Sequence, residues 1–202
     1  MSIVESLIAG LSQGNGLGKM SQSLGIDGKT AAMGLAAAAP MILGALKRNA
    51  ARPEGAQALA NALERDHDGG LLDNLSGFLD QGDTGDGDAI LGHVFGNRRQ
   101  KVDQGVAKAA GLDPAIASKL MAMAAPMIMA QLGKTKREQG LNPDALAGLL
   151  GQEERHLETT APGQMGALSA MLDADGDGDV DASDLMDRGG PLLDTISKLF
   201  GR

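Results

Sequence analysis

Gly25-Ile26-Asp27-Gly28-Lys29-Thr30-Ala31-Ala32-Met33-Gly34-Leu35-Ala36-Ala37-Ala38-Ala39-Pro40-Met41-Ile42-Leu43-Gly44-Ala45-Leu46 is the stretch on which the fold turns. It opens with Asp27, a residue type that caps helix N-termini through its carboxylate. The residues after Asp27 are mostly alanine, leucine, methionine and isoleucine, so the stretch reads as a long buried helix with Pro40 inside it. The pattern returns. Gly25-Ile26-Asp27 reappears as Gly111-Leu112-Asp113, and Ala38-Ala39-Pro40-Met41-Ile42 as Ala124-Ala125-Pro126-Met127-Ile128, both at the 86-residue offset that separates Gly25 from Gly111. Aligned without a gap, Gly25–Leu46 and Gly111–Leu132 agree at 10 of 22 positions. Alanine inflates that count, yet Gly, Asp, Pro, Met, Ile and Leu match too, so the chain is internally duplicated.

Working outward, Leu59 and Leu63 correspond to Leu146 and Leu150, Leu79-Asp80 to Leu172-Asp173, and Phe95-Gly96 to Phe200-Gly201. Each copy then consists of a short lead-in, a long proline-bearing helix, two shorter helices, an acidic loop and a closing helix. The first unit spans residues 1–96 and the second 97–202. A proline inside a helix removes one hydrogen bond and bends it, so equivalent kinks are expected at Pro40 and Pro126. Helix starts are written elsewhere as well: Ser2 with Glu5 forms a capping box, and Asp113-Pro114 and Asn142-Pro143 each place proline after an N-cap. No segment alternates as a strand would. The expectation is an all-α protein of two related helical units packed together.

Composition narrows the function. Hydrophobic residues make up 43% of the chain, but there is no Trp or Tyr, and Phe78, Phe95 and Phe200 supply its only phenyl rings. Small residues let helices approach closely and leave little room for a deep aromatic-lined pocket, which argues against a cofactor enzyme. The absence of Cys removes disulfides, thiolate nucleophiles and cysteine-ligated metals together. A net charge of −8 opposes bulk attraction to nucleic acid or anionic membrane. The amino terminus lacks the basic stretch and cleavage site of a secretory signal, and the uncharged run from Thr30 to Leu46 is shorter than the roughly 20 residues of a membrane span. A cytoplasmic protein without a membrane span is expected.

One segment has the spacing of a metal site. Asp173-Ala174-Asp175-Gly176-Asp177-Gly178-Asp179-Val180-Asp181-Ala182-Ser183-Asp184 fits the twelve-residue EF-hand loop. Asp173, Asp175 and Asp177 stand at the first three ligand positions. Gly178 is at the sharp turn, Asp179 offers its backbone carbonyl, Asp181 acts through water and Asp184 closes the loop where Glu is usual. The flanks agree, since Met165, Leu168, Met171 and Leu172 give an incoming helix an apolar face. The expected ion is Ca²⁺. The shorter reach of Asp184 predicts weaker binding and more competition from Mg²⁺ than in a typical sensor. The counterpart in the first unit, Asp80 to Leu91, has Gly82 and Leu91 at two ligand positions and reads as capping and turn formation.

Other patterns fail on context. Gly10-Leu11-Ser12-Gln13-Gly14 matches a nucleophile elbow but ends an amphipathic helix where that motif needs a strand. Gly14 to Lys19 has the wrong spacing for a phosphate loop and reads as a flexible turn. His67 is expected in a solvated turn, and His93 in the core or at a helix-end hydrogen bond. The basic groups Lys47, Arg48 and Arg52, Arg98, Arg99 and Lys101, and Lys134, Lys136 and Arg137 suit helix C-termini more than a nucleic-acid surface.

Gly87-Asp88-Ala89-Ile90-Leu91-Gly92-His93-Val94-Phe95-Gly96, together with the Ala-rich helices and their internal prolines, resembles the bacterial family known as domain of unknown function 937, related to YidB. The resemblance covers most of the chain up to about residue 200. It implies an all-helical fold, with a homeodomain-like arrangement as in the YidB relatives, and brings no catalytic residues. The functional expectation is a non-enzymatic calcium-binding interaction or structural module whose partner is another protein or a second copy of the chain. A helical nucleic-acid-binding protein with a structural calcium site is the alternative.

Overall fold

Ser2 and Glu5 start the first helix by bonding in both directions: Ser2 Oγ accepts the Glu5 N–H at 3.2 Å and Glu5 Oε2 accepts the Ser2 N–H at 2.9 Å. The computed structural model describes residues 2–160. In it, α1 (Ile3–Gln13) is followed by α2 (Gly16–Leu24), α3 (Gly28–Ala50), α4 (Pro53–Arg65), α5 (Gly70–Asp73), α6 (Leu75–Gln81) and α7 (Gly85–Phe95). A 3-10 turn at Gly96–Arg98 leads into α8 (Arg99–Ala110), α9 (Pro114–Gln139) and α10 (Pro143–Thr160). No strand occurs among the described residues, and the protein is all-α. The acidic loop 173–184 and the Phe200-Gly201 motif lie outside the described residues.

The two proline-bearing helices are α3 and α9. Asp27 accepts the Thr30 N–H at 2.9 Å and Asp113 accepts the Ala115 N–H at 2.8 Å, so both copies start with a satisfied N-cap. Pro40 and Pro126 sit inside helices that continue past them. α3 packs against α9 at the centre of the molecule. At their contact a Cβ on Gly34 would strike the side chain of Leu120, its own copy-equivalent. Equivalent positions meet in this way near an approximate two-fold axis. The helices that follow them, α4 and α10, also pack on one another.

Each copy leans on the other. α4 crosses onto α9, where Glu64 pairs with Lys136 at 2.5 Å, and α10 crosses onto α3, where Glu154 pairs with Lys47 at 2.5 Å. A single hydrophobic cluster therefore runs from Ile3 to Leu157 through both copies. α3 and α9 are long and apolar enough to cross a membrane, each with a mean hydropathy of 1.4. At 23 residues α3 exceeds the run read from the sequence, because the helix takes in the charged residues at its ends. Both helices are mostly buried, as core helices are.

The turn expected over Gly14 to Lys19 is shorter than that. Only Gly14-Asn15 breaks the helix, with Asn15 left-handed at φ 57, and α2 begins at Gly16. Leu17, Met20 and Leu24 recur at helical spacing and pack on the core, which outweighs the three glycines of the segment.

Candidate functional site

The first-unit counterpart of the acidic loop is helical at both ends. α6 stops at Gln81, Gly82 turns the chain at φ 61, and α7 starts at Gly85. Its acidic side chains then diverge. Asp80 pairs with Lys19, Asp83 Oδ1 accepts the Gly85 N–H at 2.9 Å, Asp86 lies 4.0 Å from His67 Nδ1, and Asp88 pairs with Arg99. Among the described residues no three Asp, Glu or His side chains are grouped to hold a metal ion. These residues cap, turn and pair.

α7 carries the stretch with the family resemblance, and that stretch has two faces. Gly87 is pressed against the Ala122 carbonyl of α9, so closely that any Cβ would overlap it. Pro126, four residues on, has no N–H to give that carbonyl. The missing hydrogen bond and the obligate glycine thus mark one contact. On the other side Ile90, His93 and Val94 line a cleft of about 380 Å³ together with Leu59 and Ala62 of α4 and Met129 of α9. Asn49 Nδ2 donates to the Val94 carbonyl at 3.4 Å and ties the last turn of α7 to α3.

The histidines depart from expectation. His93 is exposed at the rim of this cleft and is not in the core, because the buried stripe of α7 is taken by Leu91, Val94 and Phe95. His67 does lie in a turn but is not solvated: its side chain is only 9% exposed, and its carbonyl lies against Gly133. His156 meets Glu5 Oε1 at 3.2 Å. The Ser2 N–H, and after it His156, hold the Glu5 carboxyl below its ordinary range.

Sequence reasoning missed two buried acids. Glu153 of α10 is 7% exposed, and its Oε2 accepts the Ile3 N–H at 2.8 Å, so α10 caps α1 across the molecule. Asp103 of α8 is 8% exposed, with Oδ1 lacking a hydrogen-bond partner and Oδ2 3.7 Å from Arg99 Nε. Desolvation raises its pKa above the ordinary carboxylate value, and Asp88 adds to this, while a hydrogen bond from Ser118 and the Arg99 charge oppose it. The one signal in the sequence was an Asp in register with Val102 and Val106. Three of the cations at the ends of the long helices pair with carboxylates: Lys47 with Glu154, Lys136 with Glu64, and Arg137 with Asp68 at 3.5 Å.

These features define a class: all-helical, internally duplicated, with a core of alanine, leucine and methionine. The chain belongs to the family described as bacterial protein of unknown function (DUF937), whose model matches residues 5–135. The match runs from α1 through most of α9 and stops well short of residue 200, so α10 and the acidic loop lie beyond it. No curated protein and no solved structure matches the chain.

Proposed function

We propose that the protein is a calcium-binding helical module with a structural or interaction role, in which Asp173, Asp175, Asp177, Asp179 and Asp184 hold the ion. The spacing of residues 173–184 carries this reading, because hard oxygen donors at those loop positions with glycine at the turn are what Ca²⁺ coordination requires. The donor set is all oxygen, four aspartate carboxylates together with the neutral backbone carbonyl of Asp179. Six aspartates in twelve positions repel one another without a cation, which gives the bound state a further advantage. The first-unit loop supports the assignment by contrast, since its acids already have cations and amides of their own. A binding role suits this core better than catalysis, and the partner is another protein or a second copy of the chain.

Isothermal titration of the metal-free protein with Ca²⁺ and with Mg²⁺ tests this. One Ca²⁺ per chain is expected, with Asp173→Ala abolishing it and Asp80→Ala leaving it intact. At an ion concentration 100 times the dissociation constant, binding adds roughly 2.7 kcal/mol to folding stability. Asp184→Glu is expected to tighten Ca²⁺ and widen its margin over Mg²⁺. No heat of binding, or equal losses from Asp173→Ala and Asp80→Ala, would overturn the assignment.

A further inference from the structure

α4 and α7 share the cleft of about 380 Å³, and Leu46 of α3 and Met129 of α9 also belong to its lining. Leu46, Leu59, Val94 and Met129 are each no more than 8% exposed, so the apolar wall is part of the core and stands preformed. Backbone contacts hold its frame. A Cβ on Gly55 would strike the Asn49 carbonyl, and Asn49 Nδ2 donates to the Val94 carbonyl at 3.4 Å.

One polar group in this lining lacks a partner. The His67 carbonyl is spent on Gly133, which is outside the cleft, so the imidazole is what His67 has left to offer there. That side chain is only 9% exposed, yet among the described residues its ring makes no hydrogen bond: Asp86 Oδ2 stands 4.0 Å from Nδ1, beyond hydrogen-bond reach. A buried imidazole without a partner is costly, and a ligand that supplies one recovers the loss. On α7, Asp86, Ile90 and His93 share one face over two turns, about 10 Å, so His67 marks one end of the cleft and the exposed His93 the other.

These dimensions and charges select the occupant. The volume lies within the range of small-molecule pockets, roughly 300–1,000 Å³. One turn of a partner helix, about 10 Å across, would already fill it, which excludes a protein segment. An anion would meet Asp86 and Asp66, with the Arg65 guanidinium already paired to Asp66 at 2.7 Å. An ammonium would give up its water for a single imidazole acceptor. The Asp86 carboxylate facing Nδ1 favours the tautomer with its proton there, leaving Nε2 to accept a hydrogen bond. A neutral hydroxyl meets that requirement.

We propose that the cleft binds a neutral amphiphile, an aliphatic alcohol about as long as the cleft, with its chain along Leu59, Ala62, Ile90 and Met129 and its hydroxyl donating to His67 Nε2. This goes beyond the calcium reading and does not depend on it. The test titrates octanol into the full-length protein carrying isotopically labelled methionine methyl groups, read by NMR. The Met129 methyl is expected to shift saturably while that of Met20, buried on α2, stays in place. Octanol is expected to bind about five-fold more tightly than its methyl ether, which lacks the donor, and His67→Phe to bind the two alike. Equal shifts at Met20 and Met129, shifts that never saturate, octanoate or octylamine binding as tightly as octanol, or a preference for the alcohol that survives His67→Phe would overturn the proposal. Ala62→Leu narrows the cleft without touching His67 and is expected to weaken octanol about ten-fold. An affinity unchanged by Ala62→Leu counts against the site even where His67→Phe perturbs the fold.

Discussion

α3 and α9 are copies in sequence with the same mean hydropathy, yet they fare differently in the fold. Every residue of α9 from Leu120 to Ala130 is buried, whereas over the equivalent stretch α3 leaves Ala36, Met41 and Gly44 partly open. Apolar content does not explain the difference. Its cause is the segment lying on each helix, because α7 and the turn at His67 reach α9 backbone to backbone through Gly87 and Gly133. Two related surfaces of equal hydropathy can thus become core and surface according to which segment reaches them.

The largest effect that tests this contrast adds the same methyl group to two helical glycines. Gly87→Ala forces a Cβ into the Ala122 carbonyl and is expected to cost about 2–3 kcal/mol, read from chemical denaturation. Gly44→Ala meets open space and is expected to gain up to about 1 kcal/mol from helix propensity. Shifts in the same direction would show that the two long helices are equally free, and the comparison would fail.

A smaller effect separates the ends of α4 and α10. Glu153 occupies the place in α10 that Asp66 has in α4, but Glu153 is buried and caps α1, while Asp66 pairs with Arg65 on the surface. Glu153→Ala is expected to lose about 1–2 kcal/mol of stability, since it strands a buried N–H. Asp66→Ala is expected to stay within about 0.5 kcal/mol. Matching melting temperatures for the two variants would remove α10 from its role as a clamp.

The smallest effect concerns the lead-in helices, where Asp103 of α8 stands at the position of Leu17 in α2. Leu17 packs on the core, whereas Asp103 puts a carboxyl there. Its folded pKa is raised above 3.8, so the folded state holds the proton more tightly than the unfolded chain does. Stability is therefore lost as pH rises from about that ordinary value through the raised one. Asp103→Asn is expected to raise the melting temperature slightly at neutral pH, with the gain vanishing in acid. A gain that persists below the ordinary carboxylate range would assign the effect to packing instead of charge.

By itself the sequence determined the helical class, the caps of the long helices and the duplication, because a capping Asp, a proline at the first turn and an apolar period of 3.6 act within a few residues. The calcium loop proposed above rests on the same kind of local signal, a spacing contained within twelve consecutive residues. The resemblance in residues 87–96 placed the chain in its family but said nothing of how Gly87 is used. Only the tertiary structure decided that α10 packs on α3 and α4 of the other copy, that His67 is tucked against Gly133 while His93 is exposed, that Glu153 caps α1 and that Asp103 is buried. Each of these depends on segments far apart in the chain coming within a few ångströms, and local propensity carries no record of which distant face will arrive.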